Sequence, residues 1–330
     1  MREYEPHLLL RNSHLMTVAS AFWPRRCPAL PPAKDRLFEV EPSTQLLGRC
    51  HWQEDPGQRP TIVLVHGLEG SSESSYMLGI AEKAFCRGFN VVRMNQRNCG
   101  GTERLTLTLY NSGLSGDYRA VLQELIGGDR LSEVFFAGYS MGGNLVLKMA
   151  GELGDRTPPQ LRGVCAVCPA IDLAACAQEL ERGSNFFYQQ HFVRSLKQRM
   201  RRKAALFPST YDVNGLANVR TVREFDEVIT APYCGFRDAA DYYARSSANQ
   251  FLSAIRVPTL ILTAQDDPFI RFDTFQNAGL HSNPQITLVA PREGGHCGFI
   301  SRNPGEERYW AEARVIEFCT RHTSLSRHRP

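Results

Sequence analysis

The sequence is most informative first in what it lacks. No run approaches the ~20 consecutive apolar residues that a membrane-spanning helix needs. The opening stretch, Met-Arg-Glu-Tyr-Glu-Pro-His-Leu-Leu-Leu-Arg, lacks the long apolar segment of a secretory signal. Charge of one sign is scarce: 38 Lys and Arg stand against 34 Asp and Glu, and a net charge of +4 is too small to argue for nucleic acid. Internal repeats and long low-complexity segments are missing. Paired metal-binding motifs are missing too. Cys165 and Cys168 form one C-x-x-C, but no second pair and no neighbouring histidine accompanies it. Three apart on a strand, these two thiols are expected to point to opposite faces, which leaves no metal or redox role. The ten cysteines are scattered, several of them in apolar strands, and this pattern is expected of reduced thiols in the cytoplasm.

What remains is a chain of 330 residues with 42% hydrophobic content, enough for one large domain with an insertion. Residues 1–35 are proline-rich and are expected to form an irregular arm on the domain. Leu37–Val40 and Leu46–Trp52 suit an antiparallel edge hairpin. Apolar runs at Thr61–Val65, Phe89–Met94, Val134–Phe136, Val164–Cys168, Pro258–Thr263 and Gln285–Val289 suit buried strands. Between them lie helical patterns. Met77, Ile80, Ala81, Ala84 and Phe85 share one face, and Tyr118, Val121, Leu122, Leu125 and Ile126 share another. This alternation predicts an α/β fold with a mostly parallel, doubly wound sheet. From Asp172 to about Asn249 the β pattern stops, and aromatic-rich helical patterns predict an inserted helical cap. The expected division is an arm at 1–35, a core at 36–172 and 250–321, a cap at 173–249 and a flexible tail at 322–330. A final helix is expected after Asn303-Pro304, capped with Glu306 and carrying Tyr309, Ala313 and Ile316.

The stretch Gly138-Tyr139-Ser140-Met141-Gly142 falls where a strand turns into a helix. A serine at the tip of such a turn is held in a strained conformation, and side chains two residues to either side would collide, hence the two glycines. The pattern is a nucleophile elbow. A serine hydroxyl needs a base to take its proton, and the base needs an acid to fix its tautomer. Asp267 follows the strand at 259–263, and His296 follows the last strand within Gly294-Gly295-His296-Cys297-Gly298. Both sit at carboxyl ends of strands, where open α/β sheets place their sites. Asp266 and Asp172 are competing acids, and His66 and His281 competing bases. For the oxyanion, the Met141 amide follows the nucleophile, and the loop after Thr61–Val65 offers the Leu68 amide.

Taken together, His66-Gly67-Leu68-Glu69-Gly70, Asn95-Gln96-Arg97-Asn98-Cys99-Gly100-Gly101, Gly138–Gly143, Asp266-Asp267-Pro268-Phe269 and the His296 loop resemble the YheT-like group of α/β-hydrolases, which includes the abhydrolase-domain lipases. The resemblance implies the α/β-hydrolase fold of about eight strands with an inserted cap. It also implies a carboxylester hydrolase acting on short- to medium-chain acyl esters or acylglycerols through an acyl-enzyme, without cofactor or metal. The triad carries over as Ser140, Asp267 and His296. Asn98 stands where the group usually has glycine, and Asn111 where a histidine is common. Acyl transfer to an alcohol, or lipid binding without catalysis, are the alternatives. Phe187, Phe192 and Tyr243 of the cap are expected to line the substrate pocket. Tyr188, Phe192, Leu196 and Met200 form an apolar stripe beside Arg194, Lys197, Arg199, Arg201, Arg202 and Lys203, and this basic helix could make weak peripheral contact with a membrane.

Overall fold

The computed structural model describes residues 3–23, 25–276, 278–302 and 307–324. The first departure from expectation comes early. A helix, α1 (Ser13–Phe22), interrupts the arm. Its start is local chemistry: the Asn12 side chain accepts from the amides of His14 and Leu15 at 3.0 and 3.1 Å. The strands β1 (Lys34–Glu41) and β2 (Thr44–His51) then form the antiparallel hairpin expected at the edge.

The chain continues through β3 (Thr61–Val65), α2 (Ser75–Cys86), β4 (Asn90–Met94), α3 (Ser115–Gly127), β5 (Val134–Tyr139), α4 (Met141–Leu153) and β6 (Leu161–Val167). Only helices follow among the described residues before the next strand: α5 (Leu173–Leu180), α6 (Phe186–Leu206), α7 (Val222–Phe225), α8 (Ala231–Cys234) and α9 (Ala239–Ser246). A π-helical segment, Asp226–Thr230, joins α7 to α8. The sheet resumes with β7 (Thr259–Leu262), and α10 (Ala278–His281), β8 (Ile286–Val289) and α11 (Trp310–Arg321) complete the chain. The expected cap of the last helix at Asn303, Pro304 and Glu306 lies outside the described residues, as does most of the expected tail. Within them, α11 begins at Trp310 with Tyr309 as its N-cap.

Eight strands form one sheet in the order β1-β2-β4-β3-β5-β6-β7-β8. All pairs from β4 to β8 are parallel, and β2 joins β4 antiparallel. Each residue of β3, β4 and β5 is buried, because helices cover both faces. Alternation along the strands divides the core. Val63, Val65 and Phe136 join α3 and α4 on one side. Ile62, Leu64 and Phe135 join α1, α2 and α11 on the other. From β3 the chain moves outward to β4, then returns across the sheet to β5. The carboxyl ends of β3 and β5 are therefore the switch point, where two successive loops diverge and leave a crevice. No described helix is long and apolar enough to cross a membrane.

Candidate active site

Ser140 stands at that switch point, between β5 and α4, with φ 52° and ψ −117°. The turn tolerates no extra atom. A Cβ on Gly138 would lie 2.1 Å from the Gly142 carbonyl oxygen, and one on Gly142 would lie 2.4 and 2.5 Å from the carbonyls of Val65 and His66. Close approach to β3 therefore demands glycine at 142. The turn is held by bonds to its neighbours: the Ser140 amide donates to the Val167 carbonyl at 2.8 Å, and the Asn144 amide donates to the Ser140 carbonyl at 3.1 Å. Asn144, fully buried, donates to the carbonyls of Ser112 and Ser246 and accepts from the Ala248 amide, so one side chain ties two distant chain segments to the elbow.

The Leu68 loop packs on the serine, since a Cβ on Gly67 would come within 3.1 Å of Ser140 Cβ. The Gly67 amide is spent on the buried Tyr76 hydroxyl at 3.0 Å. The Leu68 amide and the Met141 amide, the first of α4, have no acceptor among the described groups. Two donors are thus left beside the hydroxyl. His66 is buried and engaged elsewhere: its Nδ1–H donates to the Gly67 carbonyl at 2.8 Å and its Nε2 accepts from the Gln96 amide at 3.1 Å. Burial presses its pKa down to about 4, which keeps the ring neutral. His281 is exposed at the end of α10.

The three carboxylates have separate partners. Asp172 caps α5 by accepting from the Ala175 amide at 3.0 Å. Asp266 accepts from the Gly295 amide at 2.9 Å. Asp267 meets the imidazole: its Oδ2 lies 2.8 Å from His296 Nδ1, while its Oδ1 accepts from the amides of Phe269 and Ile270 at 2.8 and 3.0 Å. The Asp267 side chain is 0% exposed and that of His296 13% exposed. Burial opposes charge on the ring, but the Asp267 carboxylate and Cys297 outweigh it, and the imidazole is a stronger base than an ordinary histidine. The arm helix reaches this loop. The His296 amide donates to Thr17 Oγ1 at 2.9 Å, and a Cβ on Gly295 would strike the Ser13 carbonyl.

Ser140, Met141, Leu68 and His296 line one cavity, which holds about 1040 Å³ of space between protein atoms, its open mouth included. Its remaining wall is mostly apolar, with Leu173, Ala177, Leu196, Met200, Phe225 and Ile270 among its residues. Phe192 and Tyr243 belong to this wall. Phe187 does not. It is 83% exposed and packs edge-on against Phe186, because it lies about 100° around α6 from the inward stripe. The basic face expected on α6 is also reduced. Arg199 and Lys203 turn inward and are buried. Arg199 pairs with Glu69, the residue after Leu68, and donates to the Tyr110 hydroxyl at 2.6 Å, so α6 grips the loop that carries the Leu68 amide. Lys203 donates to the carbonyls of Glu103 and Thr106.

Backbone strain is concentrated at this edge of the sheet. Of nine described non-glycine residues with positive φ, six (Glu69, Asn98, Ser140, Cys168, Cys297 and Phe299) lie in loops at the site. Asn98 has φ 63°, a conformation that glycine adopts without cost and asparagine tolerates. The expectation for Cys165 and Cys168 needs correction. The strand β6 ends at Val167, and φ 43° at Cys168 rotates that residue, so both thiols join the same apolar cluster. Cys168 reaches the histidine loop, its sulfur accepting from the Cys297 amide at 3.3 Å. Neither this contact nor those of Thr17 and Arg199 has a local sequence signal, because each joins segments far apart in the chain.

Known proteins resemble this chain in sequence and fold. A family described as alpha/beta hydrolase fold matches residues 60–302. The chain is 34% identical to the putative esterase YheT of Escherichia coli over 96% of its own length and 93% of that protein. It is 31% identical to phospholipase ABHD3 of Mus musculus over 74% of its own length, spanning 60% of that protein. A solved structure of the Pyrococcus furiosus esterase Pf2001 shares the fold, with a TM-score of 0.60 at 16% identity over 98% of each chain.

Proposed function

The chain belongs to the alpha/beta-hydrolase family, and from that premise we propose that it is a serine carboxylester hydrolase with Ser140, Asp267 and His296 as its triad. One observation carries the assignment: His296 Nδ1 lies 2.8 Å from an enclosed Asp267 carboxylate, in a cavity shared with the strained Ser140. Asp267 accepts a hydrogen bond from Nδ1–H, which keeps that proton on Nδ1 and leaves the Nε2 lone pair free to take the proton of Ser140 as its oxygen attacks the ester carbonyl. The oxyanion forms between the Leu68 and Met141 amides, which are fixed before reaction and need no reorganisation. Collapse expels the alcohol, protonated by His296, and leaves an acyl-serine. Water activated by the same ring then releases the acid.

We assign the substrate as a short- to medium-chain acyl ester or acylglycerol, in a reducing cytoplasm, with residues 173–249 acting as a cap. The apolar wall supports an acyl chain in the cavity. A fluorophosphonate probe is expected to label the reduced protein and to lose all labelling in Ser140→Ala. Labelling without net hydrolysis would favour acyl transfer to an alcohol, and folded protein that takes no label would favour lipid binding alone.

Contact with a lipid surface is supported by a separate observation. Leu15, Val18 and Phe22 of α1 and Phe186 and Phe187 of α6 are all exposed. His14 stacks on Tyr188 and brings the two helices together. Arg194 and Arg201 remain exposed along α6. Co-sedimentation with anionic vesicles is expected, weakened by Phe186→Ser with Phe187→Ser and by high salt. Protein that stays in the supernatant at low salt removes this contact.

A further inference from the structure

The loops after β6 and β8 bring two thiols that the hydrolytic chemistry does not require against the imidazole that it does. The sulfurs of Cys168 and Cys297 and one ring nitrogen of His296 lie within 4.8 Å of one another. It is the only such group of three among the described residues. The two thiols come from loops 129 residues apart and are interlocked: Cys168 Sγ accepts from the Cys297 amide at 3.3 Å, and Cys297 Sγ lies 3.8 Å from the Val167 carbonyl beside Cys168. Both cysteines hold positive φ, 43° and 58°, a conformation that persists only where the surroundings impose it. Cys168 is buried, while His296 and Cys297 are partly exposed, so the cluster is anchored on one side and open on the other.

We propose that this cluster is an inhibitory site for a thiophilic divalent cation of the zinc and cadmium type. Zinc binds sulfur at about 2.3 Å and imidazole nitrogen at about 2.0–2.1 Å, so a tetrahedral site needs ligand atoms about 3.5–3.8 Å apart. The three atoms need to close by no more than about 1 Å. Two thiolates and an imidazole select soft and borderline cations over magnesium or calcium. The thiols release their protons on binding, and the charge of the two thiolates balances that of the ion. Water completes the fourth position. Occupancy is incompatible with ester hydrolysis whichever ring nitrogen is engaged. At Nδ1 the ion displaces the Asp267 bond, and at Nε2 it occupies the lone pair that takes the serine proton. The protein would then be a hydrolase switched off by free thiophilic metal and restored by its removal.

Cadmium serves as the probe, because its thiolate complexes absorb in the ultraviolet by charge transfer. Titrating the reduced full-length chain is expected to give a band that saturates at one equivalent. The band should weaken in both Cys168→Ser and Cys297→Ser, with affinity at least about tenfold lower. It should persist in Ser140→Ala, so this arm stands apart from the hydrolase assignment. Ester turnover, taken as the ratio with and without cadmium within each variant, should fall in step with the band and return on adding EDTA. Magnesium should do nothing. Circular dichroism checks each variant for folding, with Cys297→Ala replacing Cys297→Ser if needed. A band of full strength in the folded double variant Cys168→Ser/Cys297→Ser overturns the site. Saturation of the band with turnover unchanged overturns the inhibition.

Discussion

Replacing Asp267 by asparagine tests the proposed mechanism at one atom. The two carboxylate oxygens have different duties: Oδ1 accepts from the Phe269 and Ile270 amides, while Oδ2 meets His296 Nδ1. In Asp267→Asn those two amides demand an acceptor, so the carboxamide oxygen must take the Oδ1 position. The NH2 group is thereby turned toward His296. It can only donate, which forces Nδ1 to accept and moves the ring proton to Nε2. A protonated Nε2 cannot take the serine proton. The fold should survive, since the shape is unchanged and both backbone bonds remain. Loss of the correct tautomer costs about 10⁴ in kcat, or about 5.5 kcal/mol of transition-state stabilisation. The assay is steady-state turnover of a chromogenic ester, with the rate of fluorophosphonate labelling as a second readout, because both reactions need the base. Asp172→Asn is the control. Asparagine caps a helix as well as aspartate does, and Asp172 only accepts from the Ala175 amide. Turnover of Asp267→Asn within tenfold of the parent, or collapse of activity in Asp172→Asn, would refute the assignment of the acid.

Other outcomes follow from the same structure. Burial pushes the Asp226 carboxyl, beside the cavity, up to about 6 from 3.8, against hydrogen bonds from Thr230 and Tyr243 that pull it down. The folded state therefore binds more protons than the unfolded one between pH 4 and 6, and stability contributed by this group is lost as pH rises through that window. Compared with Asp226→Asn, the parent should lose about 2 kcal/mol between pH 4 and pH 7, measured by denaturant melts; parallel curves would contradict this. Gly142→Ala places a Cβ against two carbonyl oxygens of β3 and its loop that cannot move aside. We expect a cost of at least about 3 kcal/mol and little soluble protein, and a normal melt would show that the elbow is looser than described. Arg199→Ala leaves Glu69, next to the Leu68 amide, without its ion-pair partner and with only the Tyr110 hydroxyl donating to it. The expected result is a stability loss of about 3–5 kcal/mol together with a lower kcat, and unchanged kcat in folded protein would show that the cap does not position the oxyanion loop.

Features written in consecutive residues were legible in the sequence. The two glycines around Ser140, the mostly apolar strands β3 to β5 and the hairpin at the edge each declare themselves within a short stretch of chain. Their order then implies the parallel sheet. The helix α1 was legible too, through Asn12 and the Met16 position, but the prolines on either side obscured it. The inward face of α6 was half legible. A stripe can be read from spacing, yet whether Phe187, Arg199 or Lys203 points inward depends on what the helix packs against. The thiol pair was beyond local reading. Cys168 and Cys297 meet because β6, β7 and β8 lie side by side, and because Cys168 leaves its strand with positive φ.

The bond from the His296 amide to Thr17 also bears on the order in which the protein is built. The partners are 279 residues apart, and the His7 amide likewise donates to the Ile300 carbonyl at 2.9 Å. Closing so long a loop costs about 3 kcal/mol more than closing one of ten residues, so this seam should form late and only on an assembled sheet. A nascent chain carries the residues of its nucleophilic turn once Asn144 has emerged, while the histidine and the helix that seats it cannot meet until residue 296 has been made. On the proposed mechanism, the serine is inert until then. The enzyme would acquire its base at the moment the two distant segments are sewn together, and a cut or insertion that frees residues 13–22 should leave a folded sheet that cannot turn over.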